Sequence, residues 1–229
     1  MQRVCTFEKD VQTIYLDEAK TAWVVLRKLP ETAHKNFDTL WSYRPAEKGK
    51  VIMGTNGVDK DYVCARWHQS YLNTPAWDPK NGSSYMFSGM SGAEKKGAEI
   101  PKEFQELLDT VNYDIPESKH YNQVVGNWYE TGADYIPFHS DYPYSTTPGT
   151  GVMIVNFVKS EKVLRTFVLK AKRGQNTLYS RLEIPLYNGV IIEMHGATQD
   201  LFRHSVPKVS GEDPGPRVSV SFRSFTQAN

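Results

Sequence analysis

Cysteine is almost missing: Cys5 and Cys64 are the only two in 229 residues, and they stand far apart. That excludes a disulfide framework and a thiolate zinc cluster, and it favours a reducing compartment. No apolar run approaches membrane-spanning length, and the N-terminus breaks into charge at Glu8 and Lys9 without a signal-like core. A soluble, intracellular chain is expected, cytoplasmic or nuclear, with no membrane partner. Neither sign of charge dominates. The 27 Lys and Arg against 26 Asp and Glu leave a net +1, so bulk charge does not announce a nucleic-acid binder. Internal repeats and low-complexity tracts are absent as well, which leaves an ordinary globular domain, expected as a monomer.

Aromatic residues are plentiful, with 13 Tyr, 10 Phe and 5 Trp available for packing and for stacking on planar ligands. Ala22–Leu26 has strand character. Pro30-Glu31-Thr32 predicts a helix start, with Ala33, Phe37, Leu40 and Trp41 on one stripe. Gly49 to Ala65 predicts two short strands around the turn Thr55-Asn56-Gly57. Residues 69–98 are crowded with turn dipeptides yet hold Tyr71, Trp77, Tyr85 and Phe87, the composition of a lid over a site. Pro101 then opens a helix whose Phe104, Leu107, Leu108 and Val111 fall at i, i+3, i+4 and i+7. After it, residues 121–129, 135–141, 151–158, 163–171, 178–184, 189–195, 200–206 and 217–225 read as strands. Eight short strands divided by turns predict a mainly β fold with flanking helices, a jelly roll or double-stranded β-helix of cupin-like form. One domain over 1–229 is expected, with 1–100 as N-terminal extension and substrate lid and 101–229 as the catalytic core. The basic run Lys159, Lys162, Arg165, Lys170, Lys172 and Arg173 reads as a solvated strand-and-turn face.

Chemistry concentrates in two stretches. His139 and Asp141 are two apart in an aromatic, strand-like segment, so imidazole and carboxylate project side by side. His-x-Asp alone occurs often by chance. A second histidine is offered by His204, with His195 in Glu193-Met194-His195-Gly196 as its rival. Two imidazoles and one carboxylate on one face of a metal leave three positions open, the arrangement of non-haem Fe(II) oxygenases. In the tail, Arg217, Ser219, Ser221 and Arg223 share one face of a strand, and Val218, Val220 and Phe222 share the other. Two guanidinium groups facing a protein interior call for an anion, and a small dicarboxylate suits their planar forks. A solvated edge strand is the plainer explanation of the same arginines.

Asn127-x-Tyr129, His139-x-Asp141, a distal His204 and Arg217 with Arg223 six residues on together resemble the AlkB-type Fe(II)/2-oxoglutarate dioxygenases, nucleic-acid demethylase branch. The resemblance runs from about Arg66 to Phe225. It implies iron ligands His139, Asp141 and His204, favouring His204 over His195. It implies 2-oxoglutarate contacts from Asn127, Tyr129, Arg217, Ser219 and Arg223, although the family usually carries Asn at the position of Ser219. Arg217 is expected at the far carboxylate and Arg223 nearer the metal. O2 is the third participant, and succinate, carbon dioxide and, from an N-methylated base, formaldehyde are the implied products. Tyr85, Phe87, Ser88 and Tyr142 are implied as base-pocket residues, and Arg66 as a phosphate contact or lid brace. Pro143 stands where such demethylases commonly carry an acidic reader of adenine or cytosine. The implied partner is DNA or RNA carrying alkylated bases. The alternatives are an oxygenase of a protein or small-molecule substrate, and a non-catalytic nucleic-acid-binding module of the same fold.

Overall fold

A computed structural model describes residues 1–4, 10–55, 58–72, 99–141, 147–160 and 162–225. The chain opens with β1 (Gln2–Val4), β2 (Val11–Tyr15) and β3 (Ala22–Lys28), then α1 (Phe37–Ser42). The hairpin β4 (Lys50–Thr55) and β5 (Val58–Val63) is followed by β6 (Trp67–Leu72), α2 (Lys102–Asn112), β7 (Gln123–Tyr129) and β8 (Ile136–His139). The last third is β9 (Val152–Val158), β10 (Thr166–Ala171), β11 (Arg181–Pro185), β12 (Val190–Gly196), α3 (Thr198–Leu201), β13 (Phe202–Val206) and β14 (Arg217–Arg223). All eight strands expected after the Pro101 helix are present.

Two sheets face each other. The larger runs β2-β3-β12-β9-β14-β7-β6 and the smaller β1-β11-β10-β13-β8. Alternation along each strand decides what fills the space between them. Ile154 of β9 and Ile192 of β12 point inward to meet Phe167, Leu169, Leu182 and Phe202 of the smaller sheet. Their neighbours Met153, Val155 and Ile191 point outward into a second core with Val218, Val220 and Phe222 of β14, roofed by α1 and α2. The larger sheet is thus covered on both faces, and β14 is buried at every residue. This is the jelly roll with flanking helices.

The roof is fixed by named contacts. Phe104, Leu107 and Leu108 of α2 are buried, each fully buried side chain contributing roughly 1.5–3 kcal/mol. Trp128 Nε1 donates to the Leu40 carbonyl at 2.9 Å, tying α1 to β7. Gly126 makes room for that indole, because a Cβ there would lie 2.4 Å from the Trp128 ring.

Three expectations need correction. The helix expected from Pro30 breaks in two: Glu31–Ala33 is a single 3-10 turn, and α1 starts afresh at Phe37. Asn36 is the reason, since its Oδ1 accepts from Thr39 N at 3.1 Å and satisfies a donor that a continuous helix would have paired. Residues 69–72, assigned to the irregular segment, continue β6, which pairs along β7 from Trp67 to Leu72. β2, β3 and β6 thus belong to the larger sheet, β1 to the smaller, and β4 pairs with β5 alone. Arg165 of the basic run is buried, not solvated. Cys64 is a buried free thiol, and Cys5 lies outside the described residues. None of the described helices is long and apolar enough to cross a membrane.

Candidate metal centre and pocket

β8 and β13 pair so that His139 stands directly opposite His204, with ring centroids 4.2 Å apart. Asp141 follows just beyond the end of β8. Ser140 Oγ donates to the Phe202 carbonyl and Asp141 N donates to Gln199 Oε1, both at 2.9 Å, which turns the carboxylate back toward the imidazoles. One ligand atom each from His139, Asp141 and His204 lies within 4.8 Å of the others. Among the described residues no other group of this kind occurs.

Each imidazole is held. His204 stacks on Phe167 at 5.4 Å between centroids. His139 Nδ1 lies 2.9 Å from the Pro137 carbonyl, which assigns the proton to Nδ1 and leaves Nε2 as the lone-pair nitrogen facing Asp141. Burial, then the neighbouring His139, pushes the His204 pKa down to about 3. Burial also lowers His139, against the pull of Asp141. For Asp141 burial works the other way, but the Arg223 guanidinium and the two imidazoles outweigh it and hold the carboxyl well below the usual range. The donor set is therefore two neutral nitrogens and one carboxylate, the state in which all three ligate a dication. The donor set fits Fe(II).

Beside this triad lies a cavity of about 140 Å³, below the ~300 Å³ of ordinary drug-sized sites and matched to a small guest. Arg217, Ser219, Ser221 and Arg223 line it from one face of β14. Register places Tyr129 opposite Arg217 and Asn127 opposite Ser219. The Arg217 guanidinium lies over the Tyr129 ring, 4.5 Å from its centroid, and Nε donates to Asn156 Oδ1. Its Nη1 is buried and has no hydrogen-bond partner among the described residues. An unpaired cationic nitrogen at that depth is costly, and an anionic guest removes the cost. Arg223 lies nearer the triad, with Nη2 donating to Asp141 Oδ2 at 3.0 Å.

Arg66 also lines the cavity, where its Nε donates to Asn127 Oδ1 at 2.7 Å. Two residues on, within β6, His68 is buried against the same cavity, opposite Asn127. The spacing of two between His68 and Arg66 is the one signal for this placement that the sequence offers. Arg165, placed by sequence on a solvated face, is buried beside Tyr129. Its Nη1 donates to the Asp134 carbonyl at 3.0 Å and Nη2 to Thr131 O, bracing the turn between β7 and β8. His195 is not in the cavity. It stacks on Trp23, and its Nε2 is 2.8 Å from Glu193 Oε2, while Oε1 of the same carboxylate accepts from Arg27 Nε. Tyr85, Phe87, Ser88, Tyr142 and Pro143 lie outside the described residues.

The model of the 2OG-Fe(II) oxygenase superfamily matches residues 26–223. The chain belongs to this superfamily. The oxygenase accordingly takes Fe(II), 2-oxoglutarate and O2 as metal, co-substrate and oxidant. Among its members it is similar to AlkB homologues. It is 33% identical over 112 residues to the mouse alpha-ketoglutarate-dependent dioxygenase alkB homolog 3, covering 47% of this chain and 37% of that protein. The human counterpart is 32% identical over 109 residues, covering 45% and 36%. The DNA oxidative demethylase ALKBH2 of Arabidopsis thaliana is 24% identical over 160 residues, covering 62% and 49%. The oxygenase thus spans little more than a third of the length of the mammalian relatives and about half of the plant one. A crystal structure of a 2OG-Fe(II) oxygenase family oxidoreductase from Burkholderia pseudomallei overlays at a TM-score of 0.45 and 12% identity, covering 89% of this chain and 88% of that one.

Proposed function

We propose that the oxygenase is an oxidative demethylase of alkylated bases in DNA or RNA. The observation that carries the reading is the juxtaposition of the His139–Asp141–His204 triad with the unpaired Arg217 nitrogen in one small cavity. The named activities of the AlkB relatives, one of them a DNA oxidative demethylase, support the nucleic-acid substrate.

In this reading His139 Nε2, His204 and Asp141 hold Fe(II). Arg217 pairs with the far carboxylate of 2-oxoglutarate, aided by Asn127, Tyr129 and Ser219. Arg223 keeps Asp141 ionised and offsets negative charge next to the metal. Bound iron supplies the oxidising chemistry: one O2 and one 2-oxoglutarate yield succinate and carbon dioxide while an N-methyl C–H becomes C–OH. The hydroxymethyl group then leaves as formaldehyde, and the base nitrogen regains its hydrogen. Asp141 and His204 are buried between the sheets, while His139 is partly exposed and leaves a side from which a substrate can approach. Arg66 fixes Asn127 and so the edge of the co-substrate site. Tyr85, Phe87, Ser88 and Tyr142 are proposed to line the base pocket, where a flipped base meets an aromatic face.

The test is succinate and formaldehyde release across a panel of N-methylated single-stranded and duplex oligonucleotides. Equal amounts of both products on any member support the reading. Succinate released without formaldehyde on every member, with coupling to a protein or small molecule instead, overturns it.

A further inference from the structure

Like charges directly opposite one another on paired strands cost stability. The outer face of the smaller sheet carries three in a row. Register sets Arg181 of β11 against Lys170 of β10, and Lys170 against Arg203 of β13. With strands about 4.8 Å apart, the three Cα positions span about 10 Å. Glu183 neutralises Arg181, accepting from its Nε at 2.6 Å. Lys170 and Arg203 are exposed, and among the described residues neither has a carboxylate partner. Four other lysines do have carboxylate partners, Lys159 with Asp38, Lys162 with Glu212, Lys35 with Glu106 and Lys48 with Asp134, so pairing is available to lysines of this chain.

The row ends at β8, the edge strand. Phe138 there is 38% exposed, and the Lys170 ammonium sits 5.7 Å from its ring centroid. Just before the same strand, Lys208 lies 4.8 Å from the partly buried Tyr135 ring. An exposed ring beside paired cations matches what a single strand presents, phosphates flanked by bases that stack. The next residue after Phe138 is His139, whose ring turns the opposite way, into the triad. One residue of chain separates the outer face from the metal centre.

We propose that Lys170, Arg203 and Phe138 form a docking strip for the phosphodiester backbone of the nucleic-acid strand whose base enters the cavity. The proposal rests on the demethylase reading above. It explains why two unneutralised cations are kept abreast.

The experiment is fluorescence anisotropy of the full chain, loaded with Fe(II) and 2-oxoglutarate without oxygen, on a labelled single-stranded oligonucleotide carrying one N-methylated base. Affinity is measured over a range of KCl for the native chain, Lys170→Gln/Arg203→Gln, Lys170→Gln alone, and Lys102→Gln on the opposite, helical side. The slope of log affinity against log salt is expected to shrink by about 0.7 for each strip cation removed, with Kd at fixed moderate salt rising about tenfold in the double variant. Lys102→Gln leaves both unchanged. The double variant should melt no lower than the native chain, since its loss relieves repulsion, and Lys170→Gln alone reads the slope if the double variant does not fold. Equal slopes in native and strip variants, with the native chain still binding and demethylating, overturn the strip and leave the demethylase standing. No binding and no turnover by the native chain overturn both. Strip-dependent binding to phosphatidylserine vesicles with unchanged oligonucleotide slopes assigns the face to a membrane and also overturns the proposal.

Discussion

Arg223 and Asp141 are joined through one guanidinium nitrogen, Nη2 to Oδ2 at 3.0 Å, with both side chains buried. The cradle strand and the metal centre are therefore a single charged unit. Removing one partner of a buried pair strands the other, at a cost of about 3–5 kcal/mol. Arg223→Met is expected to lose that much in urea unfolding of the metal-free chain. Adding Asp141→Asn should restore part of it. Additive losses would show that the two side chains are uncoupled.

Arg217 carries the unpaired nitrogen. Truncating one partner of a buried charge pair costs about 2–5 kcal/mol of binding. Arg217→Met should therefore weaken 2-oxoglutarate binding on the order of a hundredfold by calorimetry. Arg217→Lys should recover only part, because an ammonium lacks the planar fork. Unchanged affinity in Arg217→Met would place the co-substrate elsewhere.

His204 and His195 separate cleanly. His204→Ala should abolish 2-oxoglutarate turnover, whereas His195→Ala should keep turnover within a few-fold and lower the melting temperature, since Glu193 loses a partner. The reverse pattern would contradict the ligand assignment.

Asp134 provides a pH test. Burial raises its pKa, but Lys48, at 2.6 Å, and the Thr131 and Glu130 amides outweigh that and lower it below 3.8. A carboxyl with a depressed folded pKa adds stability above its unfolded pKa and loses it as pH falls through the folded one. Asp134→Asn should cost about 1–2 kcal/mol at pH 7 through weaker hydrogen bonds. Its gap from the native chain should narrow as pH falls below about 3.8.

Much of this site is legible in the residue order, because strand periodicity is strict. Arg217, Ser219, Ser221 and Arg223 at spacing two give the cradle face, and Val218, Val220 and Phe222 give the core face, before any partner strand is known. His139 and Asp141 at spacing two likewise give two of the three triad residues. Long-range pairing is what the order of residues hides. His68 reaches the cavity only because β6 pairs with β7, and Trp67–Leu72 is masked in sequence by the turn-rich stretch after it. Arg165 looks solvated among lysines, yet two backbone carbonyls of a distant turn receive its guanidinium. α1 shows a limit of another kind, since an apolar stripe persists across the break that the Asn36 cap creates.

The most direct measurement is Fe(II) bound per chain under anaerobic dialysis with 2-oxoglutarate, for the native chain and for Asp141→Ala. One ion per native chain, and none retained by Asp141→Ala, is the predicted result. A native chain that takes up no iron, or an Asp141→Ala chain that holds iron as tightly as the native one, would contradict it.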